Sequence, residues 1–126
     1  MKIIYDTKLD FSDVLIRPRR SNLSSRSQVD IIRHFSFPHS TRTLSCSPII
    51  AANMDTTGSI DMAIELEKFS CCTCLHKHYD IKTLINYFSE YKPISFYSTG
   101  ISQTDMKKLA TVFDAIPGKK PNICID

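Results

Sequence analysis

A chain of 126 residues, 42% hydrophobic and 23% charged, has the composition of one ordinary globular domain. Its net charge of +3 is mild and gathers in Arg17, Arg19, Arg20, Arg26 and Arg33, without the dense basic and aromatic stripe of a nucleic-acid reader. No apolar run approaches the ~18 residues of a membrane span, and the start of the chain lacks the apolar segment of an export signal. A cytoplasmic protein that binds neither nucleic acid nor membrane is the expectation.

Residues 1–26 show little periodicity. Leu9 to Ile16 make a short amphipathic piece stopped by Pro18, followed by an exposed loop rich in Arg and Ser over 17–27. From Val29 the alternation of Val29, Ile31, Arg33, Phe35 and Phe37 predicts a strand with one apolar face, ended by Pro38. Thr43 to Ser47 predicts its antiparallel partner across the His39-Ser40-Thr41-Arg42 turn. Residues 1–47 therefore read as an arm and a hairpin.

Residues 48–126 read as strand-helix repeats. Pro48-Ile49-Ile50-Ala51-Ala52 is too short for a helix and predicts a strand buried on both faces. After the loop Asn53-Met54-Asp55-Thr56-Thr57-Gly58, Thr57 or Ser59 can cap a helix reaching about Phe69. Cys71 to Leu75 or His76 predicts the second buried strand, and Asp80 caps a helix whose Ile81, Leu84, Ile85 and Phe88 form a clean stripe. Pro93 ends it. Ile94 to Tyr97 predicts a third strand, Ser98-Thr99-Gly100 a third loop, and Ser102 with Asp105 a helix cap. Met106, Leu109, Phe113 and Ile116 mark the expected apolar face of that helix, which Pro117-Gly118 halts. Asn122 to Asp126 predicts a fourth strand.

Short strands alternating with helices point to a parallel sheet in an α/β fold. The last predicted strand has no helix to cover it, so the chain reads as an incomplete open sheet or half-barrel, cut off after its fourth strand. In such architectures the loops at the carboxyl ends of the strands converge on one face. That rule gathers Asn53, Met54 and Asp55, then His76, Lys77, His78 and Tyr79, then Ser98, Thr99 and Gly100, and finally Asp126. Lys77 can serve as a point charge for a phosphate, as an ion-pair partner or as solvated surface. His76 and His78 can relay protons or simply anchor the strand end.

Five cysteines, at 46, 71, 72, 74 and 124, form neither a secreted disulfide pattern nor a second zinc knuckle. A redox Cys-x-x-Cys needs a helix N-terminus, whereas Cys71 and Cys74 fall within a strand. Neither a zinc site nor a redox pair is expected; most of the cysteines read as small buried hydrophobes. The three glycines, Gly58, Gly100 and Gly118, leave no phosphate-cradling loop.

Leu9-Asp10-Phe11-Ser12-Asp13-Val14-Leu15-Ile16-Arg17-Pro18-Arg19-Arg20-Ser21 resembles an amino-terminal signature of the inosine monophosphate dehydrogenase and guanosine monophosphate reductase family. Pro48-Ile49-Ile50-Ala51-Ala52-Asn53-Met54-Asp55-Thr56 resembles the family's first barrel strand and loop. His76-Lys77-His78-Tyr79 and Arg17-Pro18-Arg19-Arg20 are similar to the reductase branch, as is Asn53 before the Met-Asp pair. The resemblance covers essentially the whole chain.

It implies the amino-terminal half of a (β/α)8 TIM barrel and NADPH-dependent reductive deamination of GMP to IMP and ammonia, through a cysteine that adds to C2 of the purine. It implies that Ser25 and Arg26 reach NADPH from a neighbouring subunit of a homotetramer, and that Lys77 and Asp126 also contact the cofactor. Asn53, Met54 and Asp55 would face the nucleotide pocket. The family's nucleophilic cysteine, its Gly-rich phosphate loops and its monovalent-cation (K+) site correspond to positions beyond residue 126, so the chain alone is expected to be inactive. A dehydrogenase-like fragment, or a non-catalytic protein that binds a nucleotide or joins subunits, remains the alternative reading.

Overall fold

The computed structural model describes residues 5–90, 92–118 and 120–126. Residues 1–4, read above as lacking an export signal, lie outside the described residues. Five strands form one sheet in the order β1 (Arg33–Ser36), β2 (Thr43–Ala51), β3 (Cys71–Leu75), β4 (Ser95–Thr99) and β5 (Asn122–Ile125). β1 and β2 are antiparallel, whereas β2 through β5 are parallel. Parallel neighbours need crossovers, and three helices supply them: α1 (Ile60–Glu67), α2 (Ile81–Phe88) and α3 (Gln103–Ala115). The result is an α/β fold dominated by a parallel sheet.

Each helix starts where a short polar side chain satisfies an orphan amide. Ser59 accepts from Met62 N, Asp80 from Thr83 N and Ser102 from Asp105 N. α1 stops at Glu67, two residues short of the predicted end, and Ser70 turns the chain with a left-handed φ of 55°. Strand alternation then sorts the side chains. Leu75 and Tyr97 pack with Ala63, Leu84, Phe88 and Val112 in the main core, between sheet and helices. A smaller cluster joins Cys46, Cys72 and Ile94 with Phe35, Leu44 and Phe96.

Four expectations need correction. The strand from Val29 forms only over Arg33–Ser36, because Val29 N donates to Arg26 O in a 3-10 turn and Asp30 accepts from Ile32 N. The two runs either side of Pro48 are one strand, β2. Pro48 lacks an N–H, and it sits where the β2–β3 register shifts between Ser47 and Ile50. This strand is not buried on both faces: Ile49 and Ile50 are 60% and 56% exposed, since β1 reaches only as far as Cys46 beside them. Ser98 and Thr99 belong to β4, paired with Cys124 and Ile125, rather than to a loop.

Of the predicted stripe on α3, Leu109, Phe113 and Ile116 are buried or half-buried, and only Met106 departs from it. Val112 is fully buried and Ile116 nearly so, while Met106 is half exposed. The stripe follows Asp105, Lys108, Leu109, Val112 and Ile116, at helical spacing. A lysine occupies the place where an apolar pattern would carry a hydrophobic residue.

Candidate functional site at the carboxyl ends of the strands

Two groups of side chains form at the carboxyl end of the sheet. In the first, Asn53 Nδ2 donates to Ser98 Oγ at 2.8 Å and to Asp126 Oδ2 at 3.0 Å. One carboxamide thereby ties the ends of β2, β4 and β5 together. Ser98 is fully buried and Asn53 half-buried, so this bond is shielded from competing water. Asp126 N also donates to Thr99 O at 3.0 Å, continuing the ladder to the last residue.

The second group is the loop after β3. Its first amide, His76 N, donates to Gly58 O at 3.0 Å. His76 stacks on Tyr79 with ring centroids 4.2 Å apart, and Tyr79 Oη accepts from Ile60 N at the start of α1 at 3.0 Å. Lys108 Nζ, from α3, donates to Lys77 O at 2.7 Å and to Tyr79 O. His78 Nε2 stands 3.6 Å from Asp55 Oδ1, both exposed, a contact worth little in water. The chemistry-bearing look of His76 and Tyr79 thus resolves into anchoring. Lys77 differs: its side chain is exposed and forms no hydrogen bond or ion pair among the described residues.

Gly58 lets these loops meet. A Cβ there would lie 2.2 Å from Cys74 O and 2.8 Å from Ala52 O, so the ends of β2 and β3 close on it from two sides. Met54 and Asp55 are exposed on the same β2–α1 loop, where Gly58 N donates to Met54 O at 2.7 Å. Ser25 and Arg26 lie elsewhere, on the exposed arm. Ser25 Oγ bonds Ser27 Oγ at 2.8 Å and Arg26 O accepts from Val29 N, and among the described residues no hydrogen bond joins either residue to Lys77 or Asp126.

The cysteines are thiols held in the sheet. Burial pushes Cys72 up to about 12, aided by a bond to Cys46; burial does the same to Cys74, also to about 12, beside Cys124. Thiols so placed do not supply a thiolate near neutral pH. No group of three or more His, Cys, Asp or Glu side chains is arranged for a metal ion among the described residues. No described helix is long and apolar enough to cross a membrane. A cavity of about 340 Å³ opens at the opposite end of the sheet, lined by Phe37, Arg42, Lys92, Phe96 and Lys120. Its cations are engaged internally: Arg42 with Lys120 O, Lys92 with Glu67 and Glu90, and the Lys120 ammonium over the Phe113 ring.

Ser98 falls within the polar set expected at the strand ends, without a partner assigned to it, whereas Lys108 lies outside that set. Lys108 carried a readable signal, as a lysine inside the apolar stripe of α3. The Asn53–Ser98 bond spans 45 residues of chain and had none.

A parallel-dominated sheet with polar groups collected at the strands' carboxyl ends is the layout of an α/β enzyme of the barrel type. Residues 8–116 match the model of the IMP dehydrogenase / GMP reductase domain, and the chain belongs to that family. It is 45% identical to the GMP reductase of Phytophthora infestans, over 99% of this chain and 35% of that protein. It is 46% identical to GMP reductase 2 of Homo sapiens, over 96% of this chain and 35% of that protein. A crystal structure of inosine 5'-monophosphate dehydrogenase from Legionella pneumophila superposes with a TM-score of 0.66 at 27% identity, covering 92% of this chain and 34% of that one. The chain thus spans about a third of the length of the relatives it matches.

Proposed function

We propose that this chain forms the amino-terminal half of a (β/α)8 barrel in a GMP reductase, one incomplete domain ending at the fourth barrel strand. The reaction is the reductive deamination of GMP: GMP, NADPH and two protons give IMP, NADP+ and ammonium. The observation that carries this reading is the 42–46% identity to several proteins named GMP reductase, extending over nearly all of the chain. NADPH, when bound, supplies the hydride that replaces the amino group at C2.

The roles of this chain's own residues follow from their chemistry. Lys77 offers an exposed ammonium, suited as a point charge to a cofactor phosphate. Arg26 offers an exposed guanidinium with a planar fork of donors, and Ser25 a hydroxyl beside it. In a homotetramer these two would reach the cofactor of a neighbouring subunit. Asp126, fixed by the Asn53 carboxamide, presents a carboxylate acceptor to the cofactor's hydroxyl or amide groups. Asn53, Met54 and Asp55 edge the nucleotide pocket.

The high thiol pKa of Cys72 and Cys74 fits their reading as core residues, with the nucleophilic cysteine and a K+ site supplied by positions beyond residue 126. Incubating the full-length protein with GMP and NADPH tests the reading. IMP and ammonium should appear one-for-one with NADPH consumed. Turnover of IMP with NAD instead would assign the protein to dehydrogenase chemistry, and nucleotide binding without turnover would make it a non-catalytic member.

A further inference from the structure

We propose that Lys108 is a positioning residue, a cationic clamp from α3 that fixes the β3–α2 loop so that Lys77 faces the cofactor phosphate. The proposal rests on the reading of Lys77 as a cofactor contact. Lys108 is 31 residues from Lys77 in sequence and belongs to another strand-helix unit. Its ammonium donates to Lys77 O at 2.7 Å and also to Tyr79 O, bridging two carbonyls of one loop. Its stem runs in the inward stripe of α3, and its Nζ sits 5.9 Å from the centre of the Tyr97 ring. Burial lowers its pKa, while Asp105 and Asp80 act in the opposite direction.

A charged group is taken partly out of water here, and its two carbonyl acceptors lie on the residue expected to bind the cofactor and its neighbour. The rest of the loop is pinned independently. His76 N is held by Gly58 O, His76 stacks on Tyr79, and Tyr79 Oη is tied to α1 through Ile60 N. Those anchors hold the two ends of the loop. Only Lys108 grips the backbone of Lys77 itself among the described residues. Bond geometry at that carbonyl sets where the adjacent Cα–Cβ vector points, and so where the Lys77 ammonium stands. Removing the clamp frees the vector while leaving the fold's core, centred on Leu84, Tyr97 and Val112, in place.

The test uses the full-length protein and three variants: Lys108→Met, Lys108→Arg and Lys77→Ala. Lys108→Met keeps the apolar stem and removes every donor. It should raise the KM for NADPH about ten-fold, with kcat and the KM for GMP within about two-fold of wild type. Lys108→Arg, which restores donors to both carbonyls, should bring the NADPH KM back to within about three-fold. Hydrogen exchange across residues 76–79 should accelerate about ten-fold in Lys108→Met and not in Lys77→Ala. Should Lys108→Met not fold, Lys108→Gln, with an amide donor and no charge, is expected to give the same pattern in smaller measure.

An unchanged NADPH KM in Lys108→Met, together with a raised one in Lys77→Ala, overturns the clamp and leaves the functional reading intact. An unchanged NADPH KM in Lys77→Ala overturns both. Equal losses in both KM values and in thermal stability, with no rescue by arginine, make Lys108 a structural residue only and also overturn the proposal.

Discussion

Replacing Gly58 by alanine tests whether the β2–α1 loop seats as closely as the structure requires. The new methyl carbon would lie 2.2 Å from Cys74 O, where an ordinary carbon–oxygen contact is about 3.3 Å, so roughly 1.1 Å of movement is forced. Retreat is blocked by Ala52 O at 2.8 Å, and both obstacles are backbone of β2 and β3 or their ends rather than pliant side chains. Relief must also stretch the bonds that Gly58 itself makes, to Met54 O at 2.7 Å and from His76 N at 3.0 Å. Overpacking of this kind costs on the order of 3 kcal/mol. With a urea m-value of ~2 kcal/mol/M, the unfolding midpoint should fall by ~1.5 M. The same movement displaces Asn53 and the loop bearing Lys77, so NADPH binding should weaken as well. Gly118→Ala is the control: nothing lies within 4 Å of the added carbon there, and its φ of +81° leaves only a backbone strain of ~1 kcal/mol. A Gly58→Ala protein unfolding within ~0.3 M of wild type would refute the close approach.

Other outcomes follow from single residues. Thr73 Oγ1 is buried with no hydrogen-bond partner among the described residues, so Thr73→Val should raise stability by about 1 kcal/mol in urea unfolding; a loss of that size would mean the hydroxyl is satisfied. The Asp80 carboxylate is held below its ordinary value of 3.8 chiefly by the Thr83 amide, then by the Thr83 hydroxyl. Its folded pKa is depressed, so its contribution is complete above that ordinary value and is lost as pH falls through the lowered one. The melting-temperature gap between wild type and Asp80→Ala should therefore be constant near neutrality and narrow in acid; a gap that widens there would reverse the sign. The 126-residue chain by itself should convert no GMP to IMP, and measurable IMP from it would place a nucleophile among its own cysteines.

Local signals account for what could be read along the chain. Ser59, Asp80 and Ser102 announced their helices because a cap works through residues two or three positions away. The Ile81, Leu84 and Phe88 stripe and the Cys71–Leu75 run were equally local, and they dictated the parallel layout. Pro48 misled because a proline reads as a break, whereas here it rests at a register shift inside one strand. The apolar pattern of α3 includes Met106 and passes over the charged Lys108, yet Met106 is half exposed and Lys108 half-buried. The actual face accommodates Lys108 by giving its ammonium two carbonyls 29 and 31 residues away. Asn53, Ser98 and Asp126 each stood at a predicted strand end, yet only the closing of the sheet brings them within hydrogen-bonding distance. Among the described residues Ser25 and Arg26 make only local contacts, so the role proposed for them requires a neighbouring subunit.

The most direct measurement follows the hydride. Replacing the C2 amino group of GMP by hydrogen gives IMP, whereas replacing it by hydroxyl gives xanthosine monophosphate, and only the first consumes a reductant. With NADPH carrying deuterium at its transferable position, the full-length protein should yield IMP bearing one deuterium at C2. Xanthosine monophosphate, or IMP without the label, would contradict the reading of this family member as a GMP reductase.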